Sequence, residues 1–233
     1  MIWKNRILIL ALCFFAGCEN KAEEHIKKGI VLYKKGQYDT ATEEFRKTLE
    51  LKPDHYEAHY HLGVTYYSQG KYDESVKELK EAIAINPDEP KAHYNLAFVY
   101  MALENAAEAI TEYKKTIDLY AAQKDKKEAE GYLYLAVAYN LTEKYDDALA
   151  ACRKAIEINP DLEEAHYFLG VCYYKKNLFD EAIAELKKSL ELNPQFEKAH
   201  NILFAIYDQL GMSEEAAQED RILKQFNQER RNR

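Results

Sequence analysis

Prolines recur along this chain at a fixed interval of 34 residues. Pro53 and Pro87 are 34 residues apart, and so are Pro160 and Pro194. The interval from Pro87 to Pro160 is 73 residues, which is 34 plus 39, so this part of the chain holds one insertion of five residues. A fixed period of this length is typical of repeat architectures, in which each repeat is one supersecondary unit. The period therefore predicts a stack of similar units.

Once the insertion is allowed for, the period divides the chain into six units. They cover residues 22–55, 56–89, 90–128, 129–162, 163–196 and 197–230. In five of the units a leucine precedes a tyrosine by four residues, which places both on one face of a helix. These pairs are Leu62 and Tyr66, Leu96 and Tyr100, Leu135 and Tyr139, Leu169 and Tyr173, and Leu203 and Tyr207. Each unit is therefore predicted to contain a first helix that packs through this face.

Small residues and prolines predict a second helix in every unit. Gly63 and Gly170 follow two of the periodic leucines and are expected to let the second helix approach closely. Gly36, Gly70 and Gly211 mark the turn between the two helices, where a left-handed backbone is often needed. The periodic prolines end the second helix, because proline has no N–H to donate and disfavours helix in the residue before it. Each unit is thus a helical hairpin.

One unit carries a complete motif. In residues 163–196 the motif consists of Leu169, Gly170, Tyr173, Phe179, Ala182, Leu186 and Pro194. This pattern resembles the tetratricopeptide repeat (TPR) family, and in-phase copies of it cover nearly the whole chain after residue 21. The resemblance implies an all-α fold, a right-handed superhelical solenoid of six hairpins. A single hairpin cannot bury enough apolar surface, so neighbouring hairpins must share a continuous core.

The insertion and the two ends of the array depart from the repeat. Residues 121–128 hold the insertion, and Ala121 stands where the other units have proline. We expect an extended second helix in the third unit followed by a charged loop, which is either a hinge or inert. At the ends, Glu24 and Asp220 replace small or apolar residues of the other copies, which predicts a polar cap at each end.

The first residues have a different character. Lys4 and Arg6 precede an apolar run over residues 7–16, which is too short for a transmembrane helix of ~20 residues. A basic start, a short apolar run and small residues read as a secretory signal. The sequence up to Cys18 resembles a bacterial lipobox, which implies a lipoprotein-type signal peptide at 1–17 and lipid attachment at Cys18. An ordinary signal peptide and an uncleaved anchor are the alternatives.

This resemblance carries predictions of location. Residues 18–21 would form a lipidated tether, leaving the TPR array, 22–230, close to the membrane of the bacterial cell envelope. In enteric-type bacteria an Asp after the lipidated cysteine favours the inner membrane. Since Glu19 follows Cys18, the outer membrane facing the periplasm is preferred.

Charge and motif content argue against several classes of protein. The formal net charge is −8 and the basic residues are scattered, which disfavours nucleic-acid binding. The chain has no Gly-rich phosphate loop, nucleophile elbow or zinc motif, so we predict no enzymatic activity, no cofactor and no small-molecule substrate. Five of the seven histidines follow the repeat period and are interpreted as framework, with no metal site. Cys152 and Cys172 are interpreted as buried apolar residues, with pairing left open.

A second apolar line on the first helices carries the functional prediction. In the TPR family these phases line the concave groove that grips peptides. The groove candidates are Ile26, Ile30, Tyr33, Tyr60, Val64, Tyr67, Tyr94, Phe98, Met101, Leu133, Val137, Asn140, Tyr167, Val171 and Tyr174. An apolar, aromatic groove suits an extended hydrophobic segment or an amphipathic helix. The alternative is that these rings only pack the stack.

Together these features predict a non-catalytic scaffold for protein–protein interaction, tethered to the bacterial envelope. Its partner would be a peptide segment or helix of an envelope protein, and its membrane contact would be through the N-terminal lipid. The resemblance offers two alternatives. One is a TPR lipoprotein of type IV pilus biogenesis or secretin assembly, and the other is a chaperone-like permanent subunit of an envelope complex.

Overall fold

The computed structural model describes residues 19–231, which form twelve helices and no strand. The helices are α1 (residues 19–34), α2 (Tyr38–Leu51), α3 (Tyr56–Ser68), α4 (Tyr72–Ile85), α5 (Pro90–Ala102), α6 (Ala106–Gln123), α7 (Glu128–Leu141), α8 (Tyr145–Ile158), α9 (Glu163–Lys175), α10 (Phe179–Leu192), α11 (Glu197–Gln209) and α12 (Ser213–Arg231). The predicted signal peptide and Cys18 lie outside the described residues. The all-α prediction is confirmed.

The chain divides into two compact units, with the boundary between Lys115 and Thr116. In unit 1, α3 packs against α4 as a hairpin, and α2 and α4 each pack on the first helix that follows them. In unit 2 the hairpins are α7/α8, α9/α10 and α11/α12, and α8 and α10 pack on the next first helix. First helices also contact one another, as α7 does α9. Within each unit, successive hairpins therefore share their cores as the repeat predicts.

The predicted role of the periodic glycines after the leucines is confirmed by close helix contacts. A Cβ atom on Gly63 would lie 2.7 Å from Leu79 Cγ, and one on Gly170 would lie 2.8 Å from Leu186 Cγ. Both distances are shorter than real Cβ contacts, so a side chain here would push the second helix away. The small residue thus sets the spacing of the hairpin.

All six turns between first and second helices contain a left-handed residue. Three use the predicted glycines, with φ of 73° at Gly36, 73° at Gly70 and 71° at Gly211. The others use a non-glycine residue at φ of 60°, 57° and 59°, which are Glu104, Glu143 and Asn177. A left-handed residue other than glycine is strained, and asparagine tolerates it best.

Four of the second helices end just before a periodic proline. The helices α2, α4, α8 and α10 each have 14 residues and end two positions before a periodic proline. The helix α6 has no such proline and runs for 18 residues to Gln123, as the insertion predicts. It is followed by a short charged turn before Glu128 begins α7.

Candidate functional site: the groove positions of the first helices

The structure places the groove candidates at two depths. Ile26 and Leu133 are 1% and 3% exposed and belong to the hydrophobic cores of their units, and Val171 is 8% exposed. These three are buried and are not part of the proposed contact surface; residues of the next hairpin lie in the same cores as Ile26 and Leu133. The other candidates are half-buried: Ile30, Tyr33, Tyr60, Val64, Tyr67, Tyr94, Phe98, Met101, Val137, Asn140, Tyr167 and Tyr174.

In unit 1, five of these side chains form an aromatic face, defined here as Tyr33, Tyr60, Tyr67, Tyr94 and Phe98. The Phe98 ring meets Tyr67 edge-on at a centroid distance of 5.7 Å and meets Tyr94 at 6.2 Å. The hydroxyl of Tyr33 lies 3.2 Å from Ser68 Oγ, within hydrogen-bond distance. Residues of α1, α3 and α5 are thereby joined across successive hairpins.

The Tyr60 hydroxyl is a polar group on the aromatic face. Asn95 Nδ2 donates a hydrogen bond of 3.2 Å to the Tyr60 hydroxyl. Burial raises the pKa of the Tyr60 phenol; the Asn95 hydrogen bond lowers it, and the nearby charge of Glu89 raises it. Burial also raises the pKa of Tyr67, with a further contribution from Tyr72. Both phenols are therefore neutral near pH 7 and available as hydrogen-bonding groups.

In unit 2 the candidates form a less aromatic face. Tyr167 meets the rings of Phe168 and Phe196 edge-on, each at a centroid distance of 5.0 Å, and burial raises its pKa. The amide of Asn140 accepts from the Cys172 thiol at 3.9 Å, so it is partly engaged within the protein. The surface of unit 2 is hence more polar than the aromatic face of unit 1.

Acidic side chains lie at the starts of the first helices. In unit 1, Glu57 is in the first turn of α3. Glu89 occupies the N-cap position of α5 without a side-chain hydrogen bond to the helix, and it lies close enough to Tyr60 to act on its phenol. In unit 2, Glu163 and Glu164 lie in the first turn of α9. Burial raises the pKa of Glu164 first, then the charges of Glu163 and Glu130 do so, against the opposing effect of Lys198. Within unit 1, Glu89 thus lies near the groove residue Tyr60, and within unit 2, Glu163, Glu130 and Lys198 lie near Glu164.

A set of histidine–glutamate pairs links the two helices of most hairpins. Nδ1 of the histidine lies 2.6 or 2.7 Å from a carboxylate oxygen nineteen residues later. The pairs are His25–Glu44, His59–Glu78, His93–Glu112, His166–Glu185 and His200–Glu219. The framework interpretation of these histidines agrees with this arrangement, but sequence reasoning missed their partners. The shared spacing of nineteen residues was the available signal.

Four of these histidines also reach the preceding hairpin. Nε2 of His59 lies 2.9 Å from the Pro53 carbonyl, and Nε2 of His166 lies 3.2 Å from that of Pro160. Carboxylate and carbonyl oxygens only accept, so both ring nitrogens of His59 must donate. The hydrogen bond to Glu78 raises the pKa of His59, burial lowers it, and the Pro53 carbonyl raises it. The histidine therefore stabilises the junction between successive hairpins.

Cys152 and Cys172 are both buried free thiols on the adjacent helices α8 and α9. A hydrogen bond between them raises the pKa of Cys152, with burial adding to the effect, and lowers the pKa of Cys172 against burial.

Among residues 19–231 no group of three or more His, Cys, Asp or Glu side chains is arranged to hold a metal ion. No helix in the same range is long and apolar enough to cross a bilayer.

Comparison with family models identifies the class of protein that these hairpins define. Models described as TPR repeat or tetratricopeptide repeat match residues 29–70, 65–104, 88–161 and 140–203. The chain belongs to the tetratricopeptide repeat family, whose fold presents a surface for protein interaction. No curated protein matches the chain at a significant level.

The fold is similar to those of several solved TPR proteins. A MamA protein is 26% identical, with a TM-score of 0.67, covering 76% of this chain and 94% of that chain. PilW, described as a widely conserved type IV pilus biogenesis factor, is 16% identical, with a TM-score of 0.77, covering 87% and 92%. YrrB, described as a TPR protein with an unusual peptide-binding site, is 21% identical, with a TM-score of 0.65, covering 79% and 92%.

Proposed function

We propose that the protein is a non-catalytic scaffold, tethered to the bacterial cell envelope, that binds a protein segment on the groove positions of its first helices. The observation that carries the proposal is the aromatic face of unit 1. Ring contacts join its α3 and α5 members, and the Tyr33–Ser68 hydrogen bond joins α1 to α3, yet all five rings remain half-buried. Aromatic side chains that share a continuous, partly exposed surface are enriched at protein interfaces.

The exposed polar groups of this face support a protein ligand. The neutral hydroxyls of Tyr60 and Tyr67 can donate, and the amide oxygen of Asn95 can accept, as peptide groups require. The similarity to a TPR protein with a described peptide-binding site supports the same class of ligand. The proposal assigns this surface binding alone.

The envelope tether is proposed on the sequence before the array. Cys18 would carry the lipid, and the short segment 18–21 would hold the array close to the bilayer, with the outer membrane preferred. Labelling with a radioactive fatty acid tests this: wild type is expected to label and Cys18→Ala to lose the label. A Cys18→Ala variant that still labels would refute the lipoprotein assignment.

Binding is tested by replacing three tyrosines with alanine, Tyr60, Tyr94 and Tyr167, and measuring capture of cross-linked partners from the native cell. We expect capture to fall at least tenfold while circular dichroism shows unchanged helix content. The matched control replaces Leu51, Ile85 and Leu210 with alanine, which are exposed apolar residues outside the groove positions. Equal capture by both variants and wild type would mean that the tyrosines only pack the stack.

A more specific alternative is assembly of type IV pili or their secretin. It rests on the shared architecture with PilW, together with the proposed lipid anchor. A third alternative is a chaperone-like permanent subunit of an envelope complex. Deletion of the gene, followed by assays of surface pili and secretin multimers, separates these alternatives. Only a role in pilus or secretin assembly predicts loss of pili with an intact envelope.

A further inference from the structure

We propose that Cys152 and Cys172 form a disulfide bond in the exported protein, which joins α8 covalently to α9. This inference rests on the envelope location in the proposed function, because disulfides form and persist in oxidising compartments such as the bacterial periplasm. It goes beyond that function by assigning a covalent link between two successive hairpins of the array.

The repeat places the two cysteines at the junction of these hairpins. Cys152 lies on α8 and Cys172 lies on α9, twenty residues later, and α8 packs on α9. The next residue on each helix shows the same register directly, because Arg153 Nη2 donates a hydrogen bond of 2.7 Å to the Tyr173 hydroxyl. Residues twenty apart are therefore neighbours across this junction.

Equivalent positions at other junctions within the two units hold buried core side chains. The pairs are Phe45 and Thr65, Leu79 and Val99, and Leu186 and Ile206. Leu186 and Ile206 belong to one core cluster, so the two positions share a core. Each of these pairs contains a large side chain, whereas the cysteine pair, at 0% exposure, contains two short ones. Two short buried side chains suit a disulfide, whose Cβ atoms lie about 3.8 Å apart.

The two thiols also act on each other. A hydrogen bond between them raises the pKa of Cys152 and lowers the pKa of Cys172, which agrees with the register of the helices. The Cys172 thiol donates a second contact of 3.9 Å to Asn140 Oδ1. A thiol is a weak donor, so little is lost when oxidation removes its proton.

The proposed maturation leaves these two cysteines as the only free thiols of the chain. The sequence has four cysteines, and the other two are Cys13 in the predicted signal peptide and Cys18 at the predicted lipid site. Removal of the signal peptide takes away Cys13, and the lipid blocks the sulfur of Cys18. The exported chain then carries an even number of thiols, with no third cysteine to form a wrong disulfide.

The oxidant in this step is a protein or small-molecule disulfide. One cysteine thiolate attacks it, forms a mixed disulfide and releases one thiol of the oxidant. The second thiolate attacks the chain's own sulfur in the mixed disulfide, so the bond between the two cysteines forms and the second oxidant thiol leaves. Two protein thiols lose two electrons and two protons, and the oxidant's disulfide gains them. Since both sulfurs are buried after packing, the exchange precedes the docking of α9 on α8.

The test counts thiols in the full chain, produced with its own N-terminal sequence in the native cell. Acid-quenched protein is unfolded in detergent and labelled with a maleimide–polyethylene glycol, with and without prior reduction. Each free thiol adds one label, which a gel resolves as a step in mass. We expect no label before reduction and two labels after it. An equal number of labels in the two samples would refute the disulfide.

Cysteine variants identify the partners. Cys152→Ala and Cys172→Ala should each lose the rise of two labels, because each removes one sulfur of the bond. A rise of two that persists in either variant would mean that another pair of cysteines is oxidised, and would overturn this assignment. Circular dichroism checks that helix content stays as in wild type.

The bond also predicts an effect on stability. In equilibrium unfolding by urea, a reductant should raise the unfolding constant of wild type at least tenfold, because the cross-link no longer restricts the unfolded chain. The double variant Cys152→Ala/Cys172→Ala should unfold equally with and without the reductant. A wild-type protein that responds no more than this control would contradict the link between α8 and α9.

The number of labels before reduction reports on the lipid tether separately. A Cys18 sulfur without lipid adds one label to both samples, and an uncleaved chain adds another from Cys13. A rise of two above such a baseline refutes the tether and supports the disulfide. Two labels in both samples support the tether and refute the disulfide, and four labels in both samples refute the two together.

Discussion

The hairpins α7/α8 and α9/α10 follow one another in unit 2 and obey the same repeat, yet they meet its requirements with different residues. The α9/α10 hairpin has Gly170 at the helix contact and the pair of His166 with Glu185. The α7/α8 hairpin has Ala136 at the first position, and Tyr132 and Ala151 where the pair would be. Both hairpins keep a buried leucine, at 135 and 169. The comparison shows that the apolar contacts define the hairpin and that the polar pair is a separate addition.

The missing histidine coincides with the missing proline. In α9/α10, His166 reaches the Pro160 carbonyl of the turn before it. The turn before α7 contains the insertion and no proline, and the backbone carbonyl six residues before position 132, that of Lys126, accepts from the Ala129 N–H. The pair and the proline turn therefore belong to one polar arrangement.

The largest effect is expected at the helix contact itself. Gly170→Val places a branched side chain where a Cβ atom would already lie 2.8 Å from Leu186 Cγ and 3.1 Å from the Ala182 carbonyl oxygen. We expect a loss of about 3 kcal/mol in the free energy of unfolding, since the core cannot accept the added volume. Denaturation by urea measures it. As a control, Ala136→Gly in α7 should cost only about 1 kcal/mol; similar losses for both would contradict a special contact at Gly170.

The histidine–glutamate pair, which α7/α8 lacks, is expected to make stability most sensitive to acid in the α1/α2 hairpin, where His25 pairs with Glu44. Burial raises the pKa of Glu44, but hydrogen bonds from His25, Lys28 and Lys47 outweigh it and lower the pKa from 4.5 to about 2. This stabilisation is complete above pH 4.5 and is lost as the pH falls towards about 2. Glu44→Gln should lower the free energy of unfolding at pH 7 by about 2 kcal/mol. In that acid range its stability should fall less than that of wild type; parallel pH profiles would contradict the assignment.

A smaller loss is expected when the pair of α9/α10 is removed. His166→Phe keeps the ring but leaves the Pro160 carbonyl and the Glu185 carboxylate without this donor, at a cost of about 1–2 kcal/mol. Thermal unfolding followed by circular dichroism measures it. The matched change in α7/α8, Tyr132→Phe, should alter stability by less than about 0.5 kcal/mol. If the two variants are equally stable, the histidine contributes nothing to the junction.

The smallest effect is a gain at the turns. Glu143→Gly in the α7/α8 turn should stabilise the protein by about 0.5–1 kcal/mol, because Glu143 is held at a φ of 57°. Asn177→Gly in the α9/α10 turn should gain less, since asparagine tolerates a φ of 59° better. Urea denaturation of both variants gives the order. A larger gain at Asn177 would mean that side-chain contacts, and not backbone strain, decide the turn.

Much of the fold was predictable because glycine and proline act locally. Gly36 and Pro53 restrict their own backbone, so their spacing reveals where helices turn and end. The lengthening of α6 followed from the absence of proline at position 121. Turns at Glu104 and Glu143 were not predictable in the same way, because the surrounding hairpin imposes a left-handed conformation that these residues do not favour by themselves.

The candidate surface was predictable in phase but not in depth. Helical spacing identifies which residues share a face, yet it does not say how far the next hairpin covers them. Ile26 and Leu133 have the same phase as Tyr60 and are nevertheless buried. The partners of the histidines escaped prediction for a related reason, because a pair nineteen residues apart joins two helices and has no periodicity within either one.

The contact between His166 and the Pro160 carbonyl also decides where this protein can be cut. The sequence repeat suggests a module that begins at Glu163, but such a fragment would carry the histidine without its backbone acceptor. A fragment that begins at Asn159 retains the turn, the proline and the histidine together. Truncations and repeat exchanges made at the earlier boundary should therefore give better-behaved proteins than those made at the sequence period, and the same offset applies at His59, His93 and His200.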